Sequence, residues 1–210
     1  MNLYFRLLLN LLISRWQQRI HTGETTNTRF RVWPQDIDVF GHMNNGRYLQ
    51  IMDVARTAWM SRCGALGAMI DNQWGAALGG GSIHFRKSLR VFQSYKVSTR
   101  LVCWDSRWFY LEHGFVDDQG RCIAVGISRA AIRSRTGWVR TQDIMAIVDP
   151  SAVSAPVPDY LRNMGAAEDA MLSVYLGERP SLPASNRAQS RMRSPGSMMR
   201  SNNASNEKAA

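Results

Sequence analysis

The chain has 210 residues, 45% of them hydrophobic, with 26 Lys and Arg against 16 Asp and Glu and a formal net charge of +10. That length fits one domain with tails or two small domains, and the apolar share is enough for a real core, so wholesale disorder is excluded. The charge excludes a uniformly basic nucleic-acid fold, because it sits at the two ends: residues 1–32 hold five basic side chains against one acid, residues 179–210 six against one, and residues 33–178 fifteen against fourteen. No nucleic-acid partner is expected.

Residues 1–20 read as an amphipathic helix. Asn2, Arg6, Asn10, Ser14, Gln17 and Gln18 form a polar stripe at steps of three or four, with Tyr4, Phe5, Leu8, Leu12, Trp16 and Ile20 opposite. The apolar run is too short to span a bilayer, and Ser14-Arg15-Trp16 is not a signal-peptidase site. Basic residues and a Trp fit a helix lying on a membrane surface; the other reading is a helix packed on its own domain or on a dimer partner. Residues 21–28 are polar turn formers and read as a linker.

The main domain is expected over residues 29–178. Thr28 to Trp33 alternates like a short strand and stops at Pro34, and a turn-rich stretch runs from Gln35 to Asn45. Apolar residues then recur at helical spacing from Gly46 to Ala68, with Asn44-Asn45 suited to the cap. Residues 75–82 are small and read as flexible. Strand-like runs follow at Ile83–Phe85, Tyr95–Trp104, Trp108–Phe115 and Arg121–Arg133, with a hairpin turn at Asp117-Asp118-Gln119-Gly120. Gln142–Val148 and Pro158–Leu176 read as edge helices. Strand, long helix, then antiparallel meander is an α+β order. Residues 179–210 lack apolar periodicity and are expected to be a disordered basic tail.

Cys63, Cys103 and Cys122 are odd in number and unpaired in spacing, which points to buried thiols in a reducing, cytoplasmic setting. The four histidines show no i, i+4 ligand pair, so no metal site is expected.

The densest polar cluster is Asp36-Ile37-Asp38-Val39-Phe40-Gly41-His42-Met43-Asn44-Asn45-Gly46-Arg47-Tyr48, joining a strand end to a helix start. A helix N-terminus offers unpaired N–H groups and partial positive charge, which can polarise a carbonyl and hold an oxyanion. A carboxylate just before it can attack that carbonyl or deprotonate a water that does. The pattern fits acyl-group hydrolysis; its other reading is a turn and cap and nothing more.

This motif, Asp-x-Asp-x-x-Gly-His-x-Asn-Asn-x-x-Tyr after a strand and opening a long helix, resembles the signature of hotdog-fold thioesterases of the 4-hydroxybenzoyl-CoA thioesterase type. The short apolar N-terminus, Val32-Trp33-Pro34, the His42–Tyr48 run, Phe85–Phe92 and Trp108–Glu112 are similar to a narrower branch of acyl-CoA thioesterase-like proteins related to thioesterase superfamily member six. The resemblance implies a hotdog fold, an antiparallel sheet wrapped around one long central helix. It also implies a homodimer or dimer of dimers, an acyl-CoA substrate and no cofactor. It further implies Asp38 as nucleophile or general base and the Asn45 backbone N–H as oxyanion donor.

Around these two, Asp36 is expected to shape the turn, and His42 to orient Asp38, to touch the thioester or to brace the loop. Arg86, Lys87 and Arg90 are candidates for the CoA phosphates or for a solvated strand face. Glu112 and His113 are neighbours in a strand, point to opposite faces and make a poor dyad. The competing function is a non-catalytic, membrane-associated hotdog dimer that binds acyl thioesters or partner proteins, with residues 1–20 as the peripheral membrane contact.

Overall fold

A computed structural model describes residues 3–177. One antiparallel sheet runs in the order β1-β3-β4-β5-β2, built from β1 (Thr26–Arg31), β2 (Gly75–Phe85), β3 (Ser94–Trp104), β4 (Phe109–Asp117) and β5 (Cys122–Ser134). A short β6 (Gly137–Val139) pairs with the end of β5, beyond Ala130 where the pairing with β4 stops. The helices are α1 (Leu3–Trp16), α2 (Asn45–Arg62), α3 (Ala65–Asp71), α4 (Thr141–Val148) and α5 (Asp159–Tyr175). Residues Met1–Gly165 form one compact unit. A second begins at Ala166, of which the described part, residues 166–177, is the end of α5 and its exit turn. The expected tail, residues 179–210, lies outside the described residues.

The sheet curls around α2. Tyr48, Ile51, Met52, Val54 and Ala55 of that helix pack against Phe30, Tyr95, Val97, Phe115, Ile123 and Ala124 of the strands, all buried. β3 shows why the alternation was readable: Tyr95, Val97, Thr99, Leu101 and Cys103 are buried, while Ser98 and Arg100 face outward or are half-covered. The expected α+β architecture, a sheet wrapped around a long helix, is present.

Three local expectations need correction. The helical pattern from Gly46 to Ala68 is two helices, because Gly64 takes φ +84° after the Cys63 cap and breaks the run before α3. Residues 75–82 are not a flexible segment but most of β2, paired to β5 from Gly75↔Arg133 to Phe85↔Ala124. Its glycines allow backbone to approach closely: a Cβ on Gly79 would lie 2.2 Å from the Trp108 ring, and one on Gly81 2.6 Å from the Ile127 carbonyl oxygen. And β1 begins at Thr26, inside the stretch read as a linker. Within that stretch Thr22 is buried, donating its amide (3.1 Å) and hydroxyl (2.9 Å) to Asp149. The Thr22 amide, first among several donors, holds the Asp149 carboxyl below its usual range.

Helix α1 is docked with Arg6, Asn10 and Ser14 of its polar stripe inward. Arg6 and Ser14 are buried, whereas Tyr4, Phe5, Leu8, Leu9, Leu12, Ile13 and Trp16 are exposed, Trp16 at 91%. The inward groups are satisfied largely on the helix itself: Asn10 donates to the Arg6 carbonyl (2.7 Å) and Ser14 to the Asn10 carbonyl (2.6 Å). Leu3 and Leu7 reach the main core, and after the helix the Ile20 N–H bonds to the Arg62 carbonyl at the end of α2 (3.3 Å). The helix therefore packs on its own domain and still presents an apolar face. No helix among the described residues is long and apolar enough to cross a membrane.

Candidate active site

The polar cluster folds into one turn of 3-10 helix at Pro34–Asp36, a five-residue hairpin, and the start of α2. Ile37 and Met43 pair as an isolated antiparallel bridge and close the hairpin. Inside it, the Asp38 N–H donates to the His42 carbonyl (2.8 Å), and Gly41 takes φ +78°, a conformation suited to Gly. Asp38 Oδ1 accepts from the Phe40 N–H (2.9 Å) and the His42 N–H (3.3 Å). The carboxylate is thereby aimed by its own loop and remains half-exposed. The main chain of His42 holds Asp38.

Asn44 caps α2. Its side-chain oxygen accepts from the Gly46 N–H (2.9 Å) and its carbonyl from the Arg47 N–H (2.9 Å). The Asn45 N–H, first of the helix, has no intrahelical acceptor and points with the positive end of the helix dipole. The loop thus holds the Asp38 carboxylate by its own amides and leads, through the Asn44 cap, into the first-turn amide of Asn45.

Asp36 fixes the geometry behind them. It is 1% exposed, accepts the Trp33 N–H (2.9 Å), and forms a buried ion pair with Arg6 of α1. Arg47 Nε lies 3.5 Å from its other oxygen, and its carbonyl accepts the Asn44 N–H (2.8 Å). Asp36 is the turn-shaping residue expected. Its partner Arg6 was not foreseen as part of the site, because a polar stripe on an amphipathic helix reads as the solvent face. The signal was an Arg at the start of that stripe with no acid nearby in sequence.

The segment after β2 abuts the same loop. The Leu89 carbonyl accepts the Met43 N–H (2.8 Å), the Tyr48 oxygen accepts from the Leu89 N–H, and Leu89 itself is fully buried. Arg86, Lys87 and Arg90 flank it, all exposed, so this anchor holds three cations near the loop. No pairing of those cations with one another or with Asp38 is present among the described residues.

Two cavities adjoin α2. A cleft of about 260 Å3 begins one turn beyond Asn45, lined by Leu49, Met52 and Asp53 of α2, Leu78–Gly81 of β2, and Ile127 and Ser128 of β5. A smaller apolar cavity of about 50 Å3 lies along the other half of the helix, among Trp59, Met60, Leu101, Ile132 and Ile144. At the loop tip Val39 and Phe40 are 94% and 81% exposed.

Comparison with known proteins agrees with this fold. A profile described as the thioesterase-like superfamily matches residues 32–176. Protein THEM6 of Xenopus laevis is 42% identical over 85 residues, 40% of this chain and 41% of that protein. Protein THEM6 of Drosophila melanogaster is 32% identical over 134 residues, 62% of this chain and 69% of that protein. Among solved structures, a 1,4-dihydroxy-2-naphthoyl-CoA thioesterase from Synechocystis superposes with a TM-score of 0.53 at 16% identity, covering 62% of this chain and all of that one, which is a likeness of fold.

Proposed function

The chain belongs to the thioesterase-like superfamily, in the branch of the THEM6 proteins, and from that membership we propose that it is a thioester hydrolase acting on acyl-CoA. The single observation that carries the proposal is the hairpin that holds a half-exposed Asp38 carboxylate on the loop leading into the first amide of α2. In the reaction, the thioester carbonyl oxygen accepts from the Asn45 N–H as negative charge develops on it. Asp38 either takes a proton from the attacking water or attacks the carbonyl itself, giving an anhydride that water then opens. The C–S bond breaks, CoA leaves as thiolate and takes up a proton, and the acyl group leaves as the acid. The cleft beside Leu49 and Met52 receives the acyl group, and Arg86, Lys87 and Arg90 lie where CoA phosphates can pair with them.

Support for a fatty or aromatic acyl group comes from the apolar lining of that cleft and from the aromatic-CoA thioesterase among the structural relatives. A thiol-release assay over short-, medium- and long-chain and aromatic acyl-CoAs tests the proposal. Turnover of at least one class is expected; tight binding with no turnover on any would favour the non-catalytic reading.

The proposal includes a homodimer. β2 is an 11-residue edge strand whose outer hydrogen-bonding side is open, with Leu78 and Phe85 exposed on it and Leu49 exposed on α2 beside the cleft. Edges of that length are normally paired or covered. Light scattering on the purified chain is expected to give twice or four times the monomer mass of 23.7 kDa, and a monomer at micromolar concentration would contradict it.

Peripheral membrane contact is supported by the outward apolar face of α1, with Arg15 and Arg19 exposed next to it. Leu8→Glu/Leu12→Glu is expected to move the protein from vesicles containing anionic lipid to the supernatant in a sedimentation assay, with turnover of a soluble short-chain acyl-CoA unchanged. Retention on the vesicles would rule this contact out.

A further inference from the structure

Taking the thioesterase reading with Asp38 and Asn45 as its working groups, we infer that Arg6 is a positioning residue for that site, so that α1 is part of the active-site scaffold and not a detachable anchor. A helix that served only as an anchor would turn its cation to water. Here the Arg6 guanidinium is 3% exposed and pairs with a carboxylate that is 1% exposed, thirty residues away on the loop that carries the chemistry.

The connections from that pair run to both working groups. Asp36 Oδ2 receives Arg6 and the Trp33 N–H, which fixes the 3-10 turn that delivers the chain to Asp38 two residues later. The Asp36 carbonyl receives the Asn44 N–H, and Asn44 in turn caps α2 and precedes the Asn45 amide. The carboxylate and the oxyanion donor therefore share one support, and Arg6 supplies its countercharge. Arg47 does not replace it. That side chain is partly exposed, sits 3.5 Å from the opposite oxygen, and is also engaged by the Gln35 carbonyl and the Gln50 side chain.

A buried carboxylate left without its cation either takes up a proton or draws in water, and in both cases its hydrogen-bond geometry changes. The Asp36 Oδ1 and Tyr95 hydroxyl oxygens are buried with no hydrogen-bond partner among the described residues. A displacement of catalytic groups on the order of 1 Å costs about 10²-fold in rate.

The test compares the full chain with Arg6→Met, Arg6→Lys and Asp36→Asn, measuring kcat, KM and thermal melting on the same preparations, with hydrogen–deuterium exchange of peptides covering residues 36–48. Arg6→Met is expected to lower kcat about 10²-fold with little change in KM, and Arg6→Lys to recover a large part of it. Exchange across residues 36–48 is expected to rise in Arg6→Met. A purely structural role would lower the melting temperature and leave kcat of the folded protein at the wild-type value, which would overturn the inference. If Arg6→Met does not fold, Asp36→Asn keeps the shape and removes the charge, and a wild-type kcat in that variant overturns it equally. If the wild type turns over no acyl-CoA, the thioesterase reading has failed; the exchange data then decide the positioning role, which unchanged protection of residues 36–48 would contradict.

Discussion

Asp38→Asn is expected to lower acyl-CoA hydrolysis by about 10²–10⁴-fold while leaving the fold and KM close to those of the wild type. The substitution is informative because Asn keeps the side-chain oxygen that accepts the Phe40 and His42 N–H groups. The hairpin should survive, and so should the Ile37–Met43 bridge that closes it. What is lost is the negative charge, and with it the capacity to attack a carbonyl or to take a proton from water. Steady-state kinetics with thiol detection check this, and circular dichroism confirms that the variant is folded. Activity above about a tenth of the wild type would assign the chemistry to another group.

The second large effect concerns stability in acid. His113 on β4 is fully buried between Thr99 of β3, 3.1 Å from Nδ1, and Ser128 of β5, 3.2 Å from Nε2. Two hydroxyls that can each donate or accept satisfy a neutral imidazole in either tautomer. A protonated ring would carry a charge in the core, and burial, with the nearby Arg56 charge, pushes its pKa down to about 3. In the unfolded chain the group titrates near 6.5. Between these values the unfolded state binds the extra proton, so its stabilising contribution is complete above about pH 6.5 and is lost as pH falls toward 3. The contribution is several kcal/mol, at most about 5. Chemical denaturation from pH 7.5 to 4 should show this decline in the wild type. His113→Gln, which keeps a donor and an acceptor but cannot take up the proton, should be less stable at pH 7.5 and much flatter with pH. An equal slope in the two proteins would place the acid sensitivity elsewhere.

Much of the fold was legible because its signals are local. The alternation of β3, the Asp117–Gly120 turn and the Asn44 cap each depend on neighbours within a few residues, and each appears where the sequence predicts it. The turn that holds Asp38 and the cap before Asn45 were legible for the same reason, since both lie in one 13-residue run. β2 was not, because a Gly- and Ala-rich strand has no side-chain alternation to read; its small residues answer to Trp108 and to the β5 backbone, which are remote in sequence. The orientation of α1 was not legible for a related reason. Amphipathicity gives the two faces of a helix but not which one meets the protein, and here the buried Asp36 carboxylate selects the polar one. Gly64 could have been read as a helix end, but the apolar spacing on either side of it concealed the break.

The central claim is that water cleaves an acyl-CoA at the Asp38–Asn45 site. Its most direct test is turnover by the purified full chain in water enriched in oxygen-18, with the acyl-CoA that gives the highest rate. The account predicts free CoA thiol and carboxylic acid in equal amounts, with solvent oxygen in the acid. Stoichiometric binding of acyl-CoA with neither thiol release nor labelled acid would contradict it.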